Sequence, residues 1–331
     1  MRFESRPRIL LITTRADIAS DYVVLELSRL NASFYRINTD QFPLSASSTI
    51  EINSSSSSPR WLWQTKERTV GLDELRCIWF RRHRLPMMPP DIENAHAEYS
   101  LRESDWFLRG ALYTQQLTWM SHPTSLQLAE SKTFQLSTAR SIGLRVPDTI
   151  ITNSPEDVRS FFETQSRGVI AKPLRLGYFD YGQRKTCVFT NKVEWADLEN
   201  DDPIRIAPVI YQELIPKSFD IRVTVVGEDI FSAAIDSQSV PSARIDWRRA
   251  DTDTLRHLVH ALPPNVSDLC LRLVAKLGLS FGALDFALTP DGEYVFLEIN
   301  PNGQWAWIED LLDLPISESV ASWLVAHSED C

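Results

Sequence analysis

The chain has 331 residues, of which 43% are hydrophobic, so it is long and apolar enough for two or three domains with buried cores. Its formal net charge of −10 argues against a general nucleic-acid-binding protein, because a surface that follows phosphates needs a basic balance. No apolar run approaches the roughly 20 residues of a membrane span, and the first apolar run, residues 8–12, is too short for a signal-peptide core.

The cysteines are few and widely spaced, and none belongs to a CxxC pair. They are Cys77, Cys187, Cys270 and Cys331. This usage predicts reduced thiols in a cytoplasmic protein rather than a disulfide framework or a zinc site.

The first third of the chain opens as strand, helix and strand, over residues 7–14, 17–30 and 32–37. That order predicts a parallel α/β sheet, with residues 77–80 as a further strand. No GxGxxG motif follows the first strand, so a dinucleotide site there is unsupported. The serine-rich stretch at 45–59 cannot bury apolar surface and is interpreted as a loose loop.

Residues 93–120 place apolar and aromatic side chains at helical spacing. The side chains predicted to be buried there are Trp106, Leu108, Leu112 and Leu117. Before them, the strand at 77–80 runs into the basic sequence Arg81-Arg82-His83-Arg84. Two interpretations stay open for that sequence, a solvated basic edge or an anion-holding strand end, and no catalytic role is assigned to it.

The His122-Pro123 pair breaks the helical pattern and marks a domain boundary near residue 122. A helix is predicted over residues 126–142, with Gly143 as its C-terminal cap. A strand follows over 144–151, and Ser154 then caps another helix.

Residues 169–173 form a predicted strand that presents Lys172 near its end. A lysine among apolar strand residues is costly to bury alone, so it either reaches water or meets an anion. Strands are also predicted over 204–213, 218–226 and 230–235. On the second of these, Asp220 and Arg222 share one face, and an ion pair across strands is the structural alternative to a functional role.

A polar connection after these strands contains Asp246-Trp247-Arg248-Arg249, which on its own is consistent with a surface loop. A helix is predicted over residues 268–277, with Leu269, Leu271, Leu273, Val274 and Leu277 buried and Gly278 as its end. The last predicted helix, residues 316–326, is apolar, and we expect it to pack against the last sheet.

Residues 282–300 are predicted to form a β-hairpin around the turn sequence Pro290-Asp291-Gly292. Glu298 and Asn300 then share one strand face, and Asp285 lies opposite residues 296–298. The simplest alternative is a hairpin with a solvated polar face. Two neighbouring carboxylates are costly without a counter-charge, however, and oxygen ligands favour magnesium or manganese together with nucleotide phosphates.

The sequence Phe-Leu-Glu-Ile-Asn-Pro-Asn-Gly-Gln-Trp, residues 296–305, resembles the metal-binding end of ATP-grasp ligases. Its Asn-Gly-Gln-Trp part is most similar to the graspetide synthetases, which cross-link ribosomally made precursor peptides, as in microviridin biosynthesis. The resemblance implies an α/β (α+β) ATP-grasp fold in three domains. These are an N-terminal parallel α/β domain at 1–122, a central α+β domain at 123–210, and a C-terminal antiparallel-sheet domain at 211–331, with ATP between the last two.

The resemblance also implies roles for individual residues. The metal ligands are Asp285, Glu298 and Asn300, and the catalytic residues are Arg222, Arg248 and Asp220. The ATP-binding residues are Lys132, Lys172, Gln212, Glu213, Leu214, Ile215, Lys217 and Asp220. In the family, the segment at 174–185 is a flexible loop that closes over the triphosphate.

The activity implied is an ATP-dependent ligase that activates Glu or Asp side chains of a precursor peptide as acyl phosphates. Ser or Thr hydroxyls or Lys amines then form lactone or lactam cross-links. The implied cofactors are ATP and Mg²⁺, with Mn²⁺ as a substitute, and the partner is a peptide with a leader and an acidic core. A homodimer without nucleic-acid or membrane partners is expected. Two alternatives are an ATP-grasp ligase that adds amino acids to a peptide or protein tail, and a non-catalytic ATP-binding peptide receptor.

Overall fold

The computed structural model describes residues 6–54, 59–89, 91–114, 117–175, 178–180 and 185–329. The chain forms two compact units, one of Met1–Pro123 with Pro315–Cys331 and one of Thr124–Leu314. The division between Pro123 and Thr124 lies next to the boundary expected near residue 122. The finer boundary between 210 and 211 stays a prediction.

The described residues of the first unit form two sheets and two long helices before residue 123. Its elements are β1 (Ile9–Thr13), α1 (Ile18–Arg29), β2 (Phe34–Asn38), β3 (Ala46–Glu51), β4 (Arg60–Thr65), β5 (Thr69–Gly71), β6 (Cys77–Phe80), α2 (Asn94–Tyr113) and β7 (Thr118–Trp119). The predicted parallel sheet is present, with strand order β2-β1-β6-β7. β3, β4 and β5 form a separate antiparallel sheet.

Two expectations for the first unit were wrong. The stretch at 45–59 is not all loop, because Ala46–Glu51 pairs with Arg60–Thr65 and the Trp61 Nε1 donates to the Ser48 hydroxyl at 2.8 Å. Ser55–Ser58 lie outside the described residues. The helix over 93–120 ends at Tyr113, and Thr118–Trp119 is a strand instead.

The expected burial of Trp106 was also wrong, since this side chain is 71% exposed. Helix α2 buries Leu108, Ala111 and Leu112, which follow the i, i+3, i+4 spacing of one helix face. Trp106 lies two residues before Leu108 and therefore points away from that face. Leu117, expected to be buried, is partly buried against the same core.

The second unit contains six helices and eleven strands among its described residues. They are α3 (Pro123–Ala129), α4 (Lys132–Ser141), β8 (Thr149–Thr152), α5 (Pro155–Thr164), β9 (Val169–Lys172), β10 (Tyr178–Asp180), β11 (Lys185–Cys187), β12 (Asn191–Val193), α6 (Asp201–Ile206), β13 (Val209–Glu213), β14 (Phe219–Val226), β15 (Asp229–Ile235), β16 (His257–Val259), α7 (Pro264–Lys276), β17 (Phe281–Leu288), β18 (Tyr294–Asn300) and α8 (Ala306–Leu312).

Two antiparallel sheets dominate this unit. One has four strands in the order β12-β9-β13-β8, and the other has five in the order β16-β15-β14-β17-β18. The five-stranded sheet carries the predicted hairpin as its last two strands. Alternate side chains of β14 and β17 fill its core, including Ile221, Val223 and Phe286.

The helix expected over 126–142 is two helices, because Ser131 begins a new one. Its hydroxyl accepts from the Phe134 N–H, which satisfies one of the free donors at the start of α4. Lys132 thereby becomes the first residue of α4. The helix ends at Ser141, and Gly143, just after its cap residue Ile142, has a φ of +98° as expected for a glycine that stops a helix.

Two further boundaries and one set of buried residues differ from expectation. Residues 204–206 belong to α6, because the Asn200 side chain accepts from the Asp202 N–H and caps that helix. The strand expected over 144–151 is Thr149–Thr152. Helix α7 buries Cys270 rather than Leu269 and Leu271, which are partly exposed.

The last helix, α9 (Ile316–Ala326), was expected to pack against the last sheet, and this was wrong. It packs against α1 and β6 and belongs to the first unit. Its buried face includes Val320, Ala321 and Leu324, and Glu318 pairs with Arg29 of α1 at 3.1 Å. Within residues 6–329, apart from the gaps given above, no helix has the length and hydropathy to cross a bilayer.

Candidate active site

The hairpin brings the two predicted metal carboxylates face to face. Asp285 of β17 is the direct partner of Glu298 of β18, within the predicted range of residues 296–298. The register shifts between Asp285 and Phe286, so Leu297 is an extra residue in β18. This bulge lets Val295 and Phe296 both be buried while Glu298 stays beside Asp285.

Two lysines from different elements approach Glu298. The Lys132 Nζ lies 2.7 Å from the Glu298 Oε2. The Lys172 Nζ, at the end of β9, donates to the Leu297 carbonyl at 3.4 Å. Burial opposes ionisation of Glu298, yet Lys132 and Lys172 together lower its pKa to about 2.

The pKa of Lys172 moves in the opposite direction from its usual value. Burial is the largest cause and lowers the pKa to about 8, while the Glu298 carboxylate opposes that effect. Lys132 and Arg248 add repulsion between like charges. The Glu298 carboxylate therefore compensates the buried Lys172 charge only in part, and a second anion would stabilise it.

Arg222 holds the second carboxylate. Its Nη1 donates to both oxygens of Asp285, at 2.9 and 2.8 Å, and its Nη2 donates to the Gln304 carbonyl at 3.3 Å. Burial raises the pKa of Asp285, and the guanidinium opposes this rise. The ion pair across strands considered for Arg222 is thus present, and its partner is Asp285 of β17.

Asn300 is exposed at the end of β18, and its Oδ1 accepts from the Asn302 N–H at 3.0 Å. In the part of the chain that the structure describes, no three His, Cys, Asp or Glu side chains cluster to hold a metal. Two carboxylates on paired strand positions, with Asn300 two residues after Glu298 on β18, nevertheless fit a magnesium ion, which keeps water and phosphate oxygens as its other ligands. The role of Asn300 stays a prediction.

Asp220 lies deeper in the same sheet. The Lys217 Nζ donates to its Oδ1 at 2.7 Å and to the Ile245 carbonyl at 3.3 Å. Burial raises the pKa of Asp220, and Lys217 opposes this rise. A nearly buried pair of this kind fixes the chain that enters β14.

The predicted adenine-binding segment is an extended stretch that leaves β13. The Gln212 side chain is fully buried, and its Nε2 donates to the Thr149 hydroxyl at 2.8 Å. The Glu213 and Leu214 N–H groups donate to Asp148 and Gly168 carbonyls, at 2.9 Å each. Ile215 packs in a small core below. The backbone here is thus fixed in one conformation.

Arg248 lies in a short 3₁₀ turn, Trp247–Arg249, that Asp246 caps. Its Nε and Nη2 donate to the two Asp246 oxygens at 2.8 and 2.7 Å. Burial opposes ionisation of Asp246, but Arg248 lowers its pKa, and the same bonds raise the pKa of Arg248. The guanidinium is therefore held charged and oriented.

The basic sequence after β6 is divided among several partners in the first unit. Arg81 is fully buried, with its Nε 3.6 Å from the Asp17 Oδ2. The His83 Nε2 lies 3.3 Å from the Asp105 Oδ1, and burial lowers the pKa of His83. Arg82 and Arg84 are exposed. Arg81 thus has a structural contact that neither sequence interpretation anticipated.

Two residues that bear on the site were missed by sequence reasoning. Gln135 is fully buried and bonds to both backbone groups of Ile299, next to Glu298. Gly303 leaves no room for a Cβ, which would come within 2.8 Å of the Arg222 Nη2. The only sequence signal for Gln135 is its i+3 spacing from Lys132, on one helix face.

The segment expected to cover the triphosphate, 174–185, is described in part. β10 and β11 pair antiparallel, with Tyr178 opposite Cys187. Leu176, Gly177 and residues 181–184 lie outside the described residues. The covering role of this segment stays a prediction.

Comparisons with known proteins place this chain in a family. Residues 8–126 match the MvdD pre-ATP grasp domain. The macrocyclase MdnB from Microcystis aeruginosa MRC is 31% identical, with 96% of this chain and 98% of that chain covered and a TM-score of 0.79. This chain belongs to the graspetide-type ATP-grasp ligases. None of the curated proteins matches it.

Two other solved structures show the same fold. The macrocyclase MdnC from Microcystis aeruginosa MRC, bound with its precursor peptide MdnA, is 29% identical, with a TM-score of 0.85 and 96% and 99% of the two chains covered. A RiPP-associated ATP-grasp ligase from Chryseobacterium gregarium, in complex with ADP and a leader and core peptide, is 27% identical. Its TM-score is 0.91, with 98% of each chain covered.

Membership in the graspetide-type ATP-grasp ligases confirms the predicted ATP-grasp fold class, and it makes the chain an ATP-dependent ligase. The structure brings Lys132, Lys172, Asp285 and Glu298 together with Arg222, and the roles of these residues are proposals.

Proposed function

We propose that this ligase joins a Glu or Asp side chain of a ribosomally made precursor peptide to a Ser or Thr hydroxyl or a Lys amine. The observation that carries the proposal is the cluster in which Lys132 meets Glu298 and Arg222 meets Asp285 on facing strands. In such a cluster the cationic side chains can bind the oxygens of a triphosphate, and the carboxylates can bind its metal ion. The peptide-bound MdnC relative supports a peptide as the acceptor of that phosphate.

The proposed reaction has two steps, phosphorylation of the carboxylate and attack on the acyl phosphate. A peptide carboxylate oxygen attacks the γ-phosphorus of ATP, ADP leaves, and an acyl phosphate forms. The hydroxyl or amine then attacks the carbonyl carbon, the C–O bond to phosphate breaks, and inorganic phosphate leaves while the nucleophile loses its proton. The net change in the peptide is the loss of one water for each ester or amide bond.

The proposed metal ligands are Asp285, Glu298 and Asn300. Mg²⁺, or Mn²⁺ in its place, supplies charge neutralisation at the phosphate oxygens when bound. Lys132 and Lys172 bind phosphate oxygens, and Arg222 neutralises charge at the reacting phosphoryl group. In the structure Lys132 pairs with Glu298 and Arg222 pairs with Asp285, so each carboxylate has a counter-charge.

The remaining proposed ATP contacts come from the end of β13, from the residues that follow it, and from the entry to β14. The backbone around Gln212, Glu213, Leu214 and Ile215 binds the adenine edge, which needs a rigid extended stretch more than any particular side chain. Asp220 and Lys217 lie near the ribose or the peptide. Arg248 binds the acceptor carboxylate, because a guanidinium matches two carboxylate oxygens at once.

The experiment is intact-mass analysis of short acidic peptides encoded beside this gene, incubated with the enzyme, ATP and Mg²⁺. Successive losses of about 18 Da, one water per bond, support the proposal. Gains by amino-acid residue masses would instead show a ligase that extends a peptide tail. Tight ATP binding without any mass change or ADP release would show a receptor and contradict the proposal.

We also propose that the protein is a cytoplasmic homodimer. Cys77, Cys187 and Cys270 carry free thiols, which fits a reducing compartment, while Cys331 lies outside the described residues. Light scattering coupled to size exclusion tests the dimer. A mass near twice 37.8 kDa is expected, and a monomer mass would contradict it.

A further inference from the structure

β18 is the last strand of the five-stranded sheet among the described residues, so only one of its backbone edges pairs with a sheet neighbour. Ile299 of this strand is fully buried. Buried backbone N–H and C=O groups need partners, because an unsatisfied one costs about as much as a lost hydrogen bond. The free edge at Ile299 must therefore be satisfied by something other than a strand.

The side-chain amide of Gln135 fills that role. Its Oε1 accepts from the Ile299 N–H at 3.1 Å, and its Nε2 donates to the Ile299 carbonyl at 2.8 Å. The Nε2 also donates to the Ala129 carbonyl at the end of α3. A primary amide offers the same donor and acceptor as a peptide group, so Gln135 acts as a one-residue strand partner.

This contact joins the two halves of the proposed phosphate site. Gln135 lies one helical turn after Lys132 in α4, and Ile299 directly follows Glu298 in β18. The amide thereby fixes the start of α4 against the strand that carries Glu298. The 2.7 Å contact between Lys132 and Glu298 spans the same gap.

Neighbouring contacts on this edge are weaker or made by the backbone. The Lys172 Nζ reaches the Leu297 carbonyl at 3.4 Å, which is a long bond, and the Phe296 N–H donates to the Arg145 carbonyl at 2.8 Å. A lysine that moves to bind phosphate cannot also hold the strand. Gln135, which is neutral and fully buried, can hold it throughout.

We infer that Gln135 is a positioning residue, which sets the distance between Lys132 and the metal-binding Glu298 in the complex with nucleotide. The inference rests on the proposed function only in assigning phosphate to Lys132 and metal to Glu298. Gln135 itself touches neither ligand, so its substitution acts through the placement of those two side chains.

The test compares Gln135→Met with two controls. Val158→Ala trims a fully buried side chain of α5 outside the site, and Gln127→Met changes an exposed glutamine of α3. Val158→Ala matches the loss of stability without touching the site. Binding of Mn²⁺ in the presence of ADP, followed by electron paramagnetic resonance, is measured alongside kcat and KM for ATP.

Gln135→Met is expected to weaken Mn²⁺ binding by about 10- to 100-fold and to lower kcat similarly, the range seen when a residue behind a metal ligand is removed. Both controls should stay within about twofold. Gln135→Glu replaces the Met variant if the latter does not fold, because it still accepts from the Ile299 N–H but cannot donate to the Ile299 carbonyl. It should also weaken Mn²⁺ binding and lower kcat.

Mn²⁺ affinity of Gln135→Met equal to that of Val158→Ala, at a temperature where both are folded, would overturn the inference. Metal-dependent ADP binding without any peptide condensation would refute the proposed function, while the Mn²⁺ affinities would still decide on Gln135. Absence of metal-dependent ADP binding in the unchanged enzyme would overturn both.

Discussion

Lys132, the first residue of α4, contacts Glu298 of β18 at 2.7 Å, so a residue from the start of the second unit meets one near its end. Together with Lys172, it lowers the pKa of Glu298 to about 2 against the opposing effect of burial. The carboxylate is thus kept ionised at neutral pH. An ionised, oriented carboxylate is what a hard metal ion needs.

Glu298→Gln removes this charge while keeping the shape of the side chain. We expect activity to fall at least about 100-fold, because a charge that stabilises the reacting groups is lost. ATP turnover in the presence of peptide measures the effect. Glu293→Gln, at the exposed start of the same hairpin arm, is the matched control and should keep activity within about twofold.

The pH dependence of ATP binding tests Lys172. Burial lowers its pKa to about 8, so the side chain loses its charge as the pH rises through that value. KM for ATP should then rise above pH 8, by at most about tenfold per pH unit for a single proton. Lys172→Arg stays charged and should remove this rise. A pH-independent KM in the unchanged enzyme would count against Lys172 as a phosphate ligand.

Lys172 also affects stability in a defined direction. Its folded pKa of about 8 lies below the usual 10.5, so the unfolded chain binds the additional proton between these values. The free energy of unfolding should therefore rise with pH across this window, and the penalty is present in full below pH 8. Urea unfolding at several pH values measures this. The free energy of unfolding should rise more steeply with pH in this window for the unchanged enzyme than for Lys172→Met.

Single and double substitutions of Arg222 and Asp285 distinguish the effect of this pair on stability from its effect on activity. Both side chains are largely buried, so Arg222→Met alone leaves an uncompensated carboxylate and should destabilise the protein by about 3 kcal/mol. Asp285→Leu alone should cost a similar amount. The double variant should recover most of that loss, because two apolar groups replace the buried pair, while its activity stays absent. Urea unfolding and ATP turnover measure the two effects; recovery of activity in the double variant would refute the catalytic assignment.

Gly303→Ala tests the close packing beneath Arg222. A Cβ there would overlap the Cβ of Ala283 and lie 2.8 Å from the Arg222 Nη2. We expect a loss of about 1–3 kcal/mol and a displaced Arg222, with reduced turnover. Gly110→Ala, at a helical glycine with open space around it, is the control and should stabilise the protein by about 0.5–1 kcal/mol. Thermal unfolding compares the two.

The hairpin was predictable because its information is local. The turn residues Pro290-Asp291-Gly292 and the strand period of two are enough to place Asp285 opposite residues 296–298, and the observed partner, Glu298, lies in that range. The bulge at Leu297 was not predictable, since an extra residue in one strand leaves the same alternating composition in the sequence.

Contacts between distant elements could not be predicted in this way. Helix α9 has an apolar face that the sequence shows, but nothing in that face says whether it packs against α1 or the last sheet. Gln135 has no charge and no motif, and its role depends on a strand more than a hundred residues away. Trp106 shows the limit of composition, since a large aromatic residue at an exposed helix position resembles a core residue in the sequence.

The measurement that tests the account most directly follows oxygen-18 from the peptide into phosphate. A precursor peptide with both carboxylate oxygens of its core glutamates labelled is incubated with the enzyme, ATP and Mg²⁺, and the released phosphate is analysed by mass spectrometry. An acyl phosphate intermediate transfers one labelled oxygen to phosphate for each bond formed. The account predicts labelled phosphate in an amount equal to that of the cross-links. Unlabelled phosphate, or AMP and pyrophosphate in place of ADP, would contradict it.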